Sequence, residues 1–210
     1  MRLEPFVLEG RHVRLEPLEL RHVPELVAAA AVDPELYGWT TVPQSESAMR
    51  RYVDTALAAQ ETDAVVPFAT LSTATGAVIG STRFFDMEWW PWPAGHAENG
   101  RTTPDVCEIG YTWLTRDAMR TAANTEAKLM MLRYAFEVWH VHRVCLHTDE
   151  RNAQSRAAIE RIGGRFEGIL RAHRMASDFI PRNSARYSIL AAEWPEVQEK
   201  LEAKLRRDAA

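Results

Sequence analysis

The distribution of apolar and polar positions divides the chain into short alternating runs and longer runs of helical period. Val106 to Trp113 alternates apolar with polar or small residues, as a strand with one buried face requires. After a turn over Leu114 to Arg120, Ala122 to Trp139 carries helical periodicity through Ala127, Leu129, Met130, Leu132, Tyr134, Ala135 and Phe136, without glycine or proline. Arg143 to Thr148 reads as a second strand, and Asn152 to Ile162 as a second helix closed by Gly163 and Gly164. A further strand begins at Arg165. A strand that feeds a helix this directly leaves free N–H groups and a positive dipole end aimed at one point, which suits a phosphate.

The flanking segments read in the same way. Val13 to Leu18 is an alternating strand after a turn at Gly10, and Leu20 to Val32 is an amphipathic helix with Pro24 in its first turn. Asp33-Pro34 breaks it. Ser45 to Gln60 forms a second helix, with Ser45 or Ser47 as its cap, and Val65 to Leu71 pairs with Ala77 to Phe85 as an antiparallel hairpin about Thr75-Gly76. Asp86 to Asp105 is irregular and rich in tryptophan, and loops of that length are often functional. Ile169 to Met175 continues a strand, Ala176 to Asn183 turns, Ala185 to Ala191 is a last strand and Pro195 to Arg207 a charged helix. With no repeat or linker, residues 1–210 read as a single domain of the α/β class with a mixed, mostly antiparallel sheet.

Composition narrows the function classes. A hydrophobic share of 46% fits a globular protein, no apolar run reaches membrane-spanning length, and Met1 to Pro5 begins no signal core. A cytoplasmic chain with no membrane partner is expected. The net charge of −4 argues against a nucleic-acid partner, because phosphate contact needs a basic face. Cys107 and Cys145 fall in strands and read as buried, reduced thiols. No metal site is expected, and His140, His142 and His147 read as unrelated surface residues.

Six ordered motifs resemble the GNAT superfamily of acyl-CoA N-acyltransferases, and within it the RimJ/RimL-type branch of ribosomal-protein N-terminal acetyltransferases. They are Glu108-Ile109-Gly110-Tyr111, Thr125-Glu126-Ala127, Asn152-Ala153-Gln154-Ser155-Arg156, Ile162-Gly163-Gly164, Glu167-Gly168-Ile169-Leu170-Arg171 and Tyr187-Ser188-Ile189-Leu190. The resemblance implies a GNAT fold with a splayed central strand pair, and acetyl-CoA as co-substrate in the wedge between the Val106 and Arg143 strands. Cofactor contacts are implied for Tyr111, Trp113, Asn152, Ser155 and Arg156, and for the phosphate turn Met119-Arg120-Thr121-Ala122-Ala123-Asn124. That turn lacks the glycines usual in the family. Arg120 or Arg116 would supply a charged phosphate contact, and Thr121 would cap the helix.

Acyl transfer from a thioester to an amine needs an unprotonated nitrogen, stabilisation of developing oxyanion charge and a proton for the leaving thiolate. The helix tyrosine that serves as acid in many relatives corresponds here to Ile159, so Ser155 is the substitute candidate, its other role being a helix cap. Glu108 is the candidate base, an acidic residue in an apolar strand; the alternative is an ion pair with an arginine across the sheet. The glutamate that RimL-type enzymes use further along corresponds to Arg174. An N–H between Ile109 and Tyr111 would be the oxyanion donor if the strand carries the family's bulge. Glu126 is expected to support the structure near the phosphate turn. Trp39, Trp89, Trp90 and Trp92 would wall an acceptor pocket, or else serve loop packing or a dimer contact, and His173 is a further acceptor-side candidate. The expected partners are an acyl-CoA and an amine, with the chain a monomer or homodimer; a non-catalytic acyl-CoA sensor is the alternative.

Overall fold

The structure is a computed structural model that describes residues 3–208, so the reading of Met1 and Arg2 lies outside the described residues. Eight strands form one sheet in the order β1-β2-β3-β4-β5-β6-β8-β7. They are β1 (Leu8–Glu9), β2 (Val13–Pro17), β3 (Val65–Ser72), β4 (Val78–Glu88), β5 (Val106–Leu114), β6 (Arg143–Asp149), β7 (Arg165–Met175) and β8 (Pro181–Leu190). The helices are α1 (Val23–Ala31), α2 (Glu46–Gln60), α3 (Ala122–Arg133), α4 (Ala153–Arg161) and α5 (Trp194–Asp208). Every neighbouring pair is antiparallel except β5 and β6.

Strand alternation sends side chains to two cores. On one face, Phe68, Phe84, Cys107, Ile109, Val144 and Tyr187 pack beneath α3, α4 and α5; on the other, Ala69, Val78 and Trp113 pack with Val23, Leu26, Met49 and Val53 of α1 and α2. Both cysteines are free and buried. Ser45 caps α2 by accepting the Ala48 N–H.

Several boundaries differ from the sequence reading: β4 runs to Glu88, into the segment read as irregular, and α1 begins at Val23 after a 3-10 turn over Leu20–His22. The helix over Ala122 to Trp139 leaves α geometry at Arg133 and finishes as a π-helical turn over Tyr134–Val138, with Trp139 N–H bonded to Tyr134 O and Val141 N–H to Ala135 O. The expected turn over Ala176 to Asn183 is shorter, because β8 begins at Pro181. Register with β6 extends to Asp149↔Ser184 and register with β7 to Met175↔Pro181, so long-range pairing overrides a polar local sequence.

Glu126 ties the N-terminal hairpin to α3. Its buried carboxylate accepts the backbone N–H groups of Arg11, His12 and Val13 at 2.8, 2.6 and 2.8 Å. Glu126→Gln would turn an amide N–H₂ toward these donors, so we expect a loss of about 3 kcal/mol in urea unfolding at pH 7. A loss below about 1 kcal/mol would show that the loop finds other acceptors.

Candidate active site

The parallel pair β5 and β6 is in register only at Val106↔Arg143, Cys107↔Val144 and Glu108↔Cys145. Beyond Glu108 the two strands part, which leaves that edge of β5 with main-chain groups free to bond an extended ligand. Against β4, the register jumps from Arg83↔Gly110 to Ser81↔Trp113, so Tyr111 and Thr112 oppose the single residue Thr82. This is a β-bulge, and Tyr111 takes its left-handed position at φ +49. Gly110 is required beside it, since a Cβ would come within 2.8 Å of the Phe85 ring.

The turn that follows delivers the chain to α3. Thr121 caps the helix, accepting the Ala123 N–H at 3.2 Å and donating to Ala118 O at 2.8 Å. Ala122 and Ala123 are buried under the first turn, Asn124 is half-buried and Met119 packs on the core. Of the two arginines considered for phosphate, Arg116 is ion-paired with Asp33, whereas Arg120 is exposed and has no ion-pair partner among the described residues. Arg120 sits at φ +61, a left-handed conformation that favours glycine. Arg120→Gly is therefore expected to weaken acetyl-CoA binding by about tenfold in calorimetry. The melting temperature should hold or rise slightly, as relief of left-handed strain offsets glycine's flexibility.

Asn152, not Ser155, caps α4: its Oδ1 accepts the Ser155 N–H at 3.0 Å. The Ser155 hydroxyl is half-buried and makes no hydrogen bond among the described residues, so it remains available to a ligand. Arg156 has partners of its own, donating from Nε to the Tyr187 hydroxyl at 3.0 Å and from Nη1 to Glu150 O at 3.4 Å. The Trp113 side chain is core, packed edge-on against Tyr37, which leaves only its backbone for a cofactor. Ile159 is likewise buried.

The opposite face of β5 gathers the titratable groups. Glu108 and His147 are both nearly enclosed, with Glu108 Oε2 at 2.6 Å from His147 Nδ1. With the ring proton on Nδ1 the imidazole donates to the carboxylate and presents a basic Nε2, which has no protein partner. His147 is thus not the surface residue that the sequence suggested. Its signal was parity, since Glu108↔Cys145 register puts the residue two beyond Cys145 on the face of Glu108. The His173 ring lies 5.0 Å from that of His147, and burial, with Arg174 and His147 adding to it, pushes the His173 pKa down and keeps it neutral at pH 7.

Arg174 occupies the position of the alternative carboxylate base and lies 3.8 Å from Glu108 while pairing with Asp86 of β4. Although β7 is the outermost strand, it curls over this face. Its register with β8 shifts twice, and Ala172 adopts φ +46 at the second shift. The β7–β8 tip reaches the loop after α1, where the Ser177 hydroxyl donates to Gly38 O and Arg151, paired with Asp178, lies 5.0 Å over the Trp39 ring. The face is thereby roofed.

Of the four tryptophans, only Trp39 stands at this rim. The loop carrying Trp89, Trp90 and Trp92 is organised about the buried Asp105 at the start of β5, which accepts the Trp90 N–H at 2.7 Å, the Trp92 Nε1–H at 2.9 Å and the Arg101 guanidinium at 2.9 Å. Trp90 stacks on His142, at a ring distance of 5.2 Å. Trp89 lies four positions beyond Phe85, the residue opposite Glu108, a span of roughly 13 Å along an extended chain. Of the two readings of these tryptophans, the contacts of Trp90 and Trp92 are those of loop packing, at the closed end of the strand pair.

A parted strand pair with a helix N-terminus beyond it and a buried carboxylate–imidazole pair at the point of parting fits an acyltransferase architecture. Residues 12–165 match the family model of the acetyltransferase (GNAT) domain, and the chain belongs to this acetyl-CoA-using family. A GCN5-related N-acetyltransferase from Brucella melitensis is 31% identical, with a TM-score of 0.82 over 98% of this chain and 87% of the other. The RimJ protein of Mycobacterium smegmatis, solved with CoA-disulfide, is 19% identical with a TM-score of 0.78 over 95% of both chains. The ribosomal-protein-S5-alanine acetyltransferase of Vibrio fischeri is 11% identical, with a TM-score of 0.69 over 90% and 98%. The last two show a shared fold. No curated protein matches the chain in sequence.

Proposed function

We propose that this protein is an N-acetyltransferase that moves an acetyl group directly from acetyl-CoA to a primary amine, within the RimJ/RimL-type branch of its family. The observation that carries the reading is the Glu108–His147 pair, enclosed behind the point where β5 leaves β6. The residues present fit the co-substrate. Free N–H groups begin α3, Arg120 is unpaired beside them, and the unpaired edge of β5 suits an extended amide-bearing arm. When bound, acetyl-CoA supplies the thioester carbonyl that the amine attacks.

The chain's own groups then divide the work. Glu108 fixes the His147 tautomer and stabilises its charged form, so that Nε2 takes the ammonium or amine proton. Main-chain N–H groups near the Tyr111 bulge face developing negative charge. The Ser155 hydroxyl is the candidate donor to the leaving sulfur, a modest demand because a thiol ionises near ~8.5. Tyr111, Thr121, Ala122, Ala123 and Asn152 line the co-substrate's path; Trp39 and His173 lie on the acceptor side. No helix among the described residues is long and apolar enough to cross a membrane, and the continuous sheet supports a single domain.

The test is calorimetry with acetyl-CoA followed by thiol release with a panel of amines and N-terminal peptides. Binding with amine-dependent release supports the transferase. Tight binding with no release on any amine would favour the sensor, and absence of acyl-CoA binding would overturn both.

A further inference from the structure

Arg83 presents a cation for which this chain supplies no counter-charge. It is 5% exposed, its Nε and Nη2 are buried with no hydrogen-bond partner, and no carboxylate lies within ion-pair distance among the described residues. Tyr52 and Tyr111 flank the guanidinium, with ring centroids at 4.7 and 4.2 Å, and the Tyr52 hydroxyl is itself buried without a partner. The rings offset part of the burial cost through cation–π attraction, but they accept none of the N–H groups in plane. Buried donors are almost always satisfied, and an unpaired buried charge is more costly still.

Topology places this cluster on the acceptor side. Arg83, Phe85, Glu108 and Gly110 share one face, and Arg83↔Gly110 with Phe85↔Glu108 makes Arg83 the diagonal neighbour of Glu108, roughly 7–8 Å away. Because β5 stands between β4 and the parted edge, Arg83 is separated from the turn that suits the pyrophosphate. Two further arginines stand nearby. Arg174 is shared by Asp86 and Glu108, while Arg182 donates to the Ser184 hydroxyl and has no carboxylate within ion-pair distance among the described residues.

We infer that Arg83, with the Tyr52 hydroxyl, binds a carboxylate carried by the acceptor, so that the substrate class is a small amino acid with amine and carboxylate a few bonds apart. This deepens the N-acetyltransferase reading and rests on it. An ionised carboxylate offers acceptors only, which suits the unpaired guanidinium donors and the Tyr52 O–H, and its bidentate geometry matches the guanidinium fork. The short span from Arg83 to Glu108 and the roof made by the β7–β8 tip favour a small molecule over a polypeptide.

Thiol release would be compared for the standard α-amino acids and their matched carboxamides, on wild type and Arg83→Gln. We expect a preference of about tenfold or more in kcat/KM for the acid form of the best acceptor, falling to near parity in Arg83→Gln. Acetyl-CoA affinity by calorimetry should be unchanged. Equal use of acid and amide by wild type, or a preference surviving in Arg83→Gln, would overturn the inference. A second arm needs no turnover: butyrate should raise the melting temperature of wild type more than butyramide does, and Arg83→Gln should lose the difference. No difference in wild type would overturn the carboxylate site, while loss of acetyl-CoA binding alone would count against the transferase.

Discussion

Glu108→Gln is expected to lower kcat/KM for amine acetylation by about 10²–10⁴-fold while leaving the acetyl-CoA dissociation constant within about twofold. Glutamine is nearly isosteric and can still accept from His147 Nδ1–H, so the 2.6 Å contact is preserved in shape. What it removes is the negative charge that holds the imidazole in the useful tautomer and stabilises it once protonated. His147→Ala should cost a similar factor, and the double variant little more than either, because the two side chains act as one unit. Steady-state kinetics with varied amine at saturating acetyl-CoA would check this. A loss below about threefold in Glu108→Gln, or full additivity in the double variant, would remove the pair from the chemistry.

The second large effect concerns stability. Lys128 is 5% exposed on α3, and among the described residues its ammonium meets only the Thr82 and Thr112 hydroxyls, at 3.0 and 2.7 Å. Burial lowers its pKa from 10.5 to about 7. The unfolded lysine holds its proton to about pH 10.4, whereas the folded one releases it near 7. Between those values the unfolded state binds the extra proton, so this residue makes stability rise with pH, by up to about 1.4 kcal/mol per unit. Below pH 7 both states are protonated and the full burial cost is carried. Lys128→Met should raise stability at pH 7 by about 2–4 kcal/mol and flatten that rise. Thr82 and Thr112, 2.8 Å apart, keep each other as partners. Urea unfolding of both proteins at pH 6, 7, 8 and 9 would test it; a Met variant less stable than wild type at every pH would show that the ammonium makes a favourable contribution to the fold.

Lys128 also bears on the site. The Thr112 it holds is the residue after Tyr111 in the bulge, so the buried lysine buttresses the segment that carries the proposed oxyanion donors.

Much of this architecture was legible in the chain. Periodicities of 2 and 3.6 located most elements, because each depends on contacts close in sequence, and Ser45 and Thr121 could be read as caps for the same reason. Glu108 stood out as a carboxylate inside an apolar strand, and Glu126 as a structural acid, although its three main-chain partners lie more than a hundred residues away. The cap on α4 was ambiguous between two residues spaced to do it, and the backbone chose Asn152.

The remainder was decided by tertiary structure, for one physical reason: the state of a charge depends on what surrounds it, and sequence order does not record that. His147 looked like a surface histidine until register set it against Glu108, 39 positions away. The tryptophans of the long loop could be read as a pocket or as loop packing, and Asp105 gathers Trp90 and Trp92 at the closed end of the strands. Arg116 and Arg120 were equivalent in sequence, but only Arg116 found an acid. Local pattern determined most of the strands and helices and the family they resemble; three-dimensional packing alone determined which ionisable groups were paired, and left Arg83 and Lys128 buried without a counter-ion among the described residues.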